Sequence, residues 1–128
     1  MKTRTVLIVD DEPFMRTMMK ETLMIAGYAV LLAEGGTDAL RILEHEKVPV
    51  MIFDLKMPGM NGLELCAAVK RRYPTAIIYA MSGYHSLFDL VDCLGAGFED
   101  YFAKPFDFDL IRQEVAHAFG KVERWKRL

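Results

Sequence analysis

The sequence predicts an α/β fold in which five parallel strands form an open, doubly wound sheet flanked by five helices. Two observations predict it. Short apolar runs alternate five times with longer amphipathic segments, which favours parallel strands joined by right-handed helical crossovers. The short runs are almost continuously apolar, as expected for strands that helices cover on both faces. The expected strand order is 2-1-3-4-5.

The strand candidates are all short and rich in apolar residues; they are Thr5–Asp10, Ala29–Ala33, Val50–Asp54, Ala76–Met81 and Asp100–Ala103. The helix candidates carry apolar residues near helical spacing; they are Pro13–Ala26, Thr37–Glu46, Asn61–Tyr73, Ser86–Gly95 and Phe108–Trp125. Pro13 suits the first turn of a helix, and Gly27 and Pro74 suit positions just beyond a helix end.

Length and composition indicate one ordinary folded domain spanning residues 1–128. The chain has 128 residues, of which 52% are hydrophobic and 27% charged, enough for one core under a charged surface. A net charge of −2 provides no overall attraction to nucleic acid or to a membrane. No run has the length of a signal peptide or a membrane span, so a cytoplasmic location is expected. Cys66 and Cys93 match no metal-binding spacing and are expected to be reduced core thiols.

Acidic residues stand at the ends of two strands that the predicted order makes neighbours. Asp10 and Asp11 close the first strand, and Asp54 closes the third. Clustered carboxylates resist ionisation unless a cation compensates them, and oxygen ligands favour Mg²⁺. A helix N-terminus would explain the acids at 10–12, but not an aspartate that ends a buried strand. The pattern therefore favours a Mg²⁺ site.

Two further strand ends carry polar groups that would face the same crevice. Ser82 follows the fourth strand, and Lys104 follows the fifth. A carboxylate nucleophile can attack phosphorus. A metal ion, an ammonium group and a hydroxyl can then compensate the charge on the transferring oxygens. Each residue alone has an ordinary explanation, but the combination predicts phosphoryl chemistry.

Four segments carry a resemblance to a known family: VLIVDDEP (Val6–Pro13), MIFDLKMPGMNGLEL (Met51–Leu65), YAMSGY (Tyr79–Tyr84) and EDYFAKPF (Glu99–Phe106). They resemble the CheY-like receiver domain of two-component response regulators, which has a flavodoxin-like fold. The resemblance spans almost the whole chain.

The resemblance implies a role for each matching residue of the crevice. Asp54 corresponds to the phosphoacceptor. Asp11 is similar to a direct Mg²⁺ ligand, Asp10 to one that acts largely through water, and Lys56 to the residue whose backbone carbonyl completes the protein's share of the coordination shell. Lys104 corresponds to the lysine that binds the phosphoryl group.

The resemblance also implies a switch. Ser82 corresponds to the hydroxyl that moves to meet the phosphoryl oxygen, and Tyr101 to the aromatic residue that swings inward when it does. Pro105 is similar to the proline that follows the family lysine, often through a cis bond. Phe98 stands where the family more often has a small residue, which raises a question about packing at the end of the fourth helix.

The implied function is a phosphorylation-dependent signalling switch. A sensor histidine kinase or a phosphotransfer protein would supply the phosphoryl group from phosphohistidine, and the conformational change would control a partner or an output domain. A homodimer through the face formed by helix four, strand five and helix five is possible, and direct contact with nucleic acid is not expected. The chain would catalyse only its own phosphorylation and dephosphorylation, so it is not expected to be an enzyme in its own right.

Two alternatives belong to other functional classes. One is a Mg²⁺-dependent phosphatase or phosphotransferase with an aspartyl intermediate, but Lys56 occupies the position of the second aspartate that such an enzyme would need. The other is an interaction module that works without phosphate, which the complete set of site residues argues against.

Overall fold

A computed structural model describes residues 3–83, 87–104 and 106–128, without the side chains of residues 87–89. Strands and helices alternate along it as β1 (Thr5–Val9), α1 (Pro13–Ile25), β2 (Ala29–Ala33), α2 (Gly36–Leu43), β3 (Val50–Asp54), α3 (Gly62–Arg72), β4 (Ile77–Ser82), α4 (Leu87–Ala96), β5 (Asp100–Ala103) and α5 (Phe108–Trp125).

The sheet has the predicted topology. Its strand order is β2-β1-β3-β4-β5, and every neighbouring pair is parallel. Parallel strands bring their carboxyl ends to one edge, so the residues that follow β1 and β3 emerge side by side. The doubly wound α/β fold is therefore confirmed.

Helices cover both faces of the sheet, and successive side chains of the central strands point to opposite faces. Leu7 and Phe53 belong to the core cluster that includes Leu65 of α3, whereas Ile8 belongs to the cluster that includes Val115 of α5. All four residues of β1 from Val6 to Val9 are fully buried, which explains why the strand shows no polar alternation.

Three strand boundaries, in two strands, differ by one residue from the prediction. β1 ends at Val9, and Asp10 follows it, although its N–H still donates to the carbonyl oxygen of Ala33 at 3.1 Å. β4 begins at Ile77 and includes Ser82, which lies opposite Ala103 of β5. Ser82 is thus the last residue of a strand, not the first residue of a loop.

Four helices also differ from the prediction at one or both ends. α1 ends one residue early, at Ile25, and α3 spans Gly62–Arg72, one residue shorter at each end. α2 begins at Gly36 and ends at Leu43, three residues before the predicted end. α4 is assigned from Leu87 to Ala96, and the predicted start at Ser86 lies outside the described residues.

Both cysteines and the large side chain of Phe98 lie in the core. Cys66 and Cys93 are buried in the same core cluster and form no disulfide, as predicted. Phe98 is only 4% exposed and packs edge-on against Phe53, with 6.2 Å between the ring centroids. The large side chain at position 98 therefore fills the core beneath α4. Within the described ranges, no helix is both long and apolar enough to cross a membrane.

The start of α3 is held very close to the end of β3. Asn61 and Glu64 form a reciprocal capping box, and the N–H of Gly62 donates to the carbonyl oxygen of Leu55 at 3.0 Å. A Cβ at position 62 would lie 2.4 Å from the carbonyl oxygen of Asp54. Only glycine fits there without moving the backbone that carries Asp54.

We predict that Gly62→Ala lowers the free energy of unfolding by about 1–3 kcal/mol, because the methyl group must push backbone atoms apart. Gly120→Ala is the matched control, since a Cβ at this exposed position in α5 meets no described atom within 4 Å. It should raise stability by up to about 1 kcal/mol through helix propensity. Urea denaturation measures both, and equal effects would contradict the prediction.

Candidate functional site

Three carboxylates meet at the carboxyl edge of the sheet. Asp10 and Asp11 directly follow β1, and Asp54 is the last residue of β3. One carboxylate oxygen from each lies within 4.8 Å of those of the other two. Asp10 and Asp54 are buried, and Asp11 is exposed. The convergence predicted from the strand order is therefore present.

Asp10 is held at almost every polar atom. Its N–H donates to the carbonyl oxygen of Ala33, its Oδ1 accepts from the N–H of Glu12 at 2.9 Å, and its own carbonyl oxygen accepts from Arg16 Nη1 at 2.8 Å. Its Oδ2 is buried and accepts no hydrogen bond from the described residues. The ammonium of Lys104 lies 3.8 Å from that oxygen, too far for a hydrogen bond.

Asp54 shares the same cation. Lys104 Nζ lies 3.9 Å from Asp54 Oδ1, which also accepts a long hydrogen bond of 3.4 Å from the N–H of Lys56. The Lys104 side chain is 21% exposed, so it reaches inward from the rim of the crevice. Among the described residues, Lys104 is the one cation placed between the two buried carboxylates.

Ser82 and Lys104 are tied together by the backbone. The N–H of Lys104 donates to the carbonyl oxygen of Ser82 at 2.9 Å. Ser82 is 2% exposed, and it lies one residue beyond Met81, the strand partner of Asp54. Neighbouring strands therefore bring the hydroxyl, the ammonium and the carboxylates to one edge of the sheet, as the sequence predicted.

Burial and mutual repulsion oppose ionisation of the two buried carboxyls, Asp10 and Asp54. Burial, followed by repulsion from Asp10, raises the pKa of Asp54 from its ordinary 3.8 to about 6, although Lys104 acts in the opposite direction. Burial likewise raises the pKa of Asp10. One ammonium does not compensate three carboxylates.

A hard divalent cation fits this arrangement. The donors are all oxygens, they lie close enough to share one ion, and Asp10 Oδ2 lacks a hydrogen bond within the described part of the chain. Such a donor set favours Mg²⁺ or Ca²⁺ over softer metals.

The remaining predicted residues are placed as follows. Lys56 is exposed and lies two residues beyond β3, with its N–H directed at Asp54; the role of its carbonyl stays a prediction. Tyr101 is half-buried in β5 and packs against the core cluster that contains Phe53; its role as a switch also stays a prediction. Pro105 lies outside the described residues.

Sequence reasoning did not identify two residues that shape the site. Gly62 allows α3 to begin against the backbone of Asp54, and Arg16 binds the carbonyl oxygen of Asp10. The glycine stood inside a recognised segment, and the arginine offered one signal, a cation one turn into the helix that follows the acidic pair.

Comparison with known proteins decides the family. The family model described as response regulator receiver domain matches residues 6–116. The chain belongs to this family. The fold, the strand order and the acidic cluster are accordingly those of a receiver domain of two-component response regulators.

Curated relatives contain this receiver domain as one part of a longer chain. A cyclic di-GMP phosphodiesterase of Thermotoga maritima is 32% identical over 114 residues, which cover 89% of this chain and 30% of the relative. The transcriptional regulatory protein GlrR of Escherichia coli is 32% identical over 130 residues, which cover 98% of this chain and 29% of the relative. The chain thus spans less than a third of the length of these relatives.

A solved receiver structure shows the same architecture over nearly its full length. The response regulator TrrA of Thermotoga maritima, in complex with Mg²⁺–BeF, is 30% identical and superposes with a TM-score of 0.83. The match covers 91% of this receiver domain and 99% of TrrA.

The raised pKa of Asp54 predicts that Asp54→Asn stabilises the metal-free protein. The folded state holds the Asp54 proton more tightly than the unfolded state, so stability falls as the pH rises from about 4 to about 6 and stays low above that. The asparagine variant escapes this loss. Its gain should be about 2–3 kcal/mol at pH 7.5 and about 1 kcal/mol at pH 4.5.

Chemical denaturation in the presence of a chelator measures the effect at both pH values. Asp92→Asn is the control, because Asp92 is exposed on α4 and its replacement should change stability by less than about 0.5 kcal/mol. An equal gain in stability from Asp54→Asn at both pH values would contradict the raised pKa of Asp54 as its cause.

Proposed function

We propose that this receiver domain, residues 1–128, is a phosphorylation switch in which Asp54 accepts the phosphoryl group in a Mg²⁺-dependent reaction. The observation that carries the proposal is the cluster of three carboxylates within 4.8 Å, in which buried Asp54 lies beside Lys104. A structural role alone does not account for two buried acids that share one ammonium, because burial of like charges costs stability.

Asp10, Asp11 and Asp54 would hold the Mg²⁺ ion, together with the backbone carbonyl of Lys56. When bound, the ion would supply positive charge for the carboxylates and the phosphoryl oxygens. The oxygen-only donor set and the unsatisfied Asp10 Oδ2 support this assignment. The complex of TrrA with Mg²⁺–BeF supports it by analogy.

Asp54 would act as the nucleophile. A carboxylate oxygen forms the new O–P bond while the N–P bond of a phosphohistidine breaks, and the imidazole leaves with the electron pair. Asp54 is 4% exposed, and such burial would limit the access of water to the acyl phosphate. Lys104 would bind an oxygen of the incoming group, and its Nζ, 3.9 Å from the Asp54 carboxylate, supports this role.

The same geometry suggests how phosphorylation of Asp54 would change the conformation of β4 and β5. Ser82 lies opposite Ala103 in the β4–β5 register, and Ala103 follows Tyr101 by two residues on β5. A hydroxyl drawn toward the phosphoryl group would pull on this end of β4 and bias the packing of Tyr101. Exposed Val91, Leu94 and Leu110 on α4 and α5 support a partner surface or a homodimer on this side.

The proposed donor is a sensor histidine kinase or a phosphotransfer protein in the cytoplasm. Such a donor must contact the rim of the crevice, and α1 begins there with Phe14, which is 70% exposed. The names of the relatives, a phosphodiesterase and a transcriptional regulator, support control of an output domain or partner as the consequence. The receiver itself would catalyse only its own phosphorylation and dephosphorylation.

Incubation with Mg²⁺ and acetyl phosphate tests the proposal. Intact-mass analysis should show the addition of one phosphoryl group to the wild type and none to Asp54→Asn or to the wild type with chelator. Lys104→Gln should slow the reaction by at least about tenfold, because one transition-state cation is lost. Modification that persists in Asp54→Asn would refute Asp54 as the acceptor.

The switch role of Ser82 predicts that removing its hydroxyl leaves binding of the phosphoryl mimic intact but reduces the conformational response in β5. Ser82→Ala should still bind Mg²⁺–BeF, but the amide shifts of β5 residues around Tyr101 should become much smaller than in the wild type. Ser82→Thr retains the hydroxyl and serves as the control, with wild-type shifts expected. NMR spectra with and without the phosphoryl mimic decide this, and full β5 shifts in Ser82→Ala would exclude the hydroxyl as the link.

A further inference from the structure

Arg16 is a half-buried cation beside the acidic site, and it makes no ion pair with the carboxylates of that site. It lies in α1, and its side chain is 14% exposed. Its Nη1 donates to the backbone carbonyl oxygen of Asp10 at 2.8 Å. Its one ion pair among the described residues, with Glu34 at 3.9 Å, is weak because the Glu34 side chain is 79% exposed. The carbonyl is therefore the principal partner of Arg16.

The bond from Arg16 fixes the peptide that links the two metal-site acids. A peptide unit is planar, so holding the Asp10 carbonyl also sets the direction in which the chain enters Asp11. Asp11 is exposed, so packing around its side chain does little to orient it. The neighbouring N–H of Asp10 is already fixed on Ala33. The N–H of Glu12 spans the turn to Asp10 Oδ1, and Arg16 adds the restraint on the Asp10 carbonyl itself.

We propose that Arg16 is a positioning residue for the divalent-cation site, acting through the Asp10–Asp11 peptide. It keeps both carboxylates aimed at the position of the ion before the ion arrives. The inference rests on the proposed Mg²⁺ site and adds to it a residue that touches neither the ion nor the phosphoryl group. Outer groups that orient metal ligands commonly change metal affinity when removed.

The charge of Arg16, taken alone, predicts the opposite behaviour. A half-buried guanidinium close to the site repels Mg²⁺, so its removal would tighten Mg²⁺ binding if electrostatics dominated. Positioning predicts weaker binding on removal. The sign of the change in Mg²⁺ affinity therefore distinguishes the two roles, and added salt reduces only the electrostatic part.

The experiment is titration of the folded domain with MgCl₂ by isothermal calorimetry at two salt concentrations. Arg16→Gln should raise the Kd for Mg²⁺ by about tenfold. Arg16→Lys, which retains a donor and a charge, should restore part of the affinity. Arg124→Gln, an exposed arginine in the last turn of α5, should bind Mg²⁺ like the wild type.

Unfolding midpoints in chelator provide the second readout. A merely structural role would lower the midpoint of Arg16→Gln and leave the Kd of the folded protein unchanged, which would overturn the inference. Unchanged or tighter binding by Arg16→Gln would also overturn it while leaving the Mg²⁺ site intact. If Arg16→Gln does not fold, Arg16→Met, which also lacks the guanidinium, replaces it, and a Kd for Mg²⁺ equal to or lower than that of the wild type would overturn the inference. A wild type that binds no Mg²⁺ would refute the proposed function itself.

Discussion

The chemistry of this domain depends on two buried aspartates that share one lysine at the carboxyl edge of the sheet. Asp10 and Asp54 lie on neighbouring central strands, and Lys104 is 3.8 and 3.9 Å from their carboxylates. Neither distance is short enough for a hydrogen bond, so the lysine compensates the charge of the two carboxylates only incompletely. Burial and repulsion raise the pKa of both acids, so the carboxylates oppose each other's ionisation and favour added positive charge.

The surrounding fold holds this unfavourable cluster in place. Main-chain hydrogen bonds join the carboxyl ends of the strands: Asp10 to Ala33, Leu55 to Met81, and Lys104 to Ser82. The close start of α3 at Gly62 fixes the other side of Asp54. In the proposed switch, the β4–β5 edge, where Ser82 and Tyr101 lie, would carry the response to a change of charge at Asp54.

The sequence predicted those features that follow from regular periodicity. Continuously apolar strands implied helices on both faces, and the alternation of elements implied the strand order that brings Asp10 and Asp54 together. Boundaries at polar strand ends were less certain, because Asp10 and Ser82 keep strand-like hydrogen bonds on either side of the formal limit. Arg16 and Gly62 were not predicted, since one acts through a backbone carbonyl and the other through a missing side chain. Neither contact leaves a periodic signal.

The most direct test of the central claim is the number of protons released when Mg²⁺ binds. Calorimetric titration in two buffers with different ionisation heats gives that number. If the buried acids lack compensating charge, Mg²⁺ binding near pH 5.5 should release up to about one proton, because the raised pKa of Asp54 leaves much of its carboxyl protonated at that pH. Mg²⁺ binding at pH 8 should release almost no protons. Mg²⁺ binding with no proton release at pH 5.5, or no Mg²⁺ binding at pH 8, would contradict this account of the site.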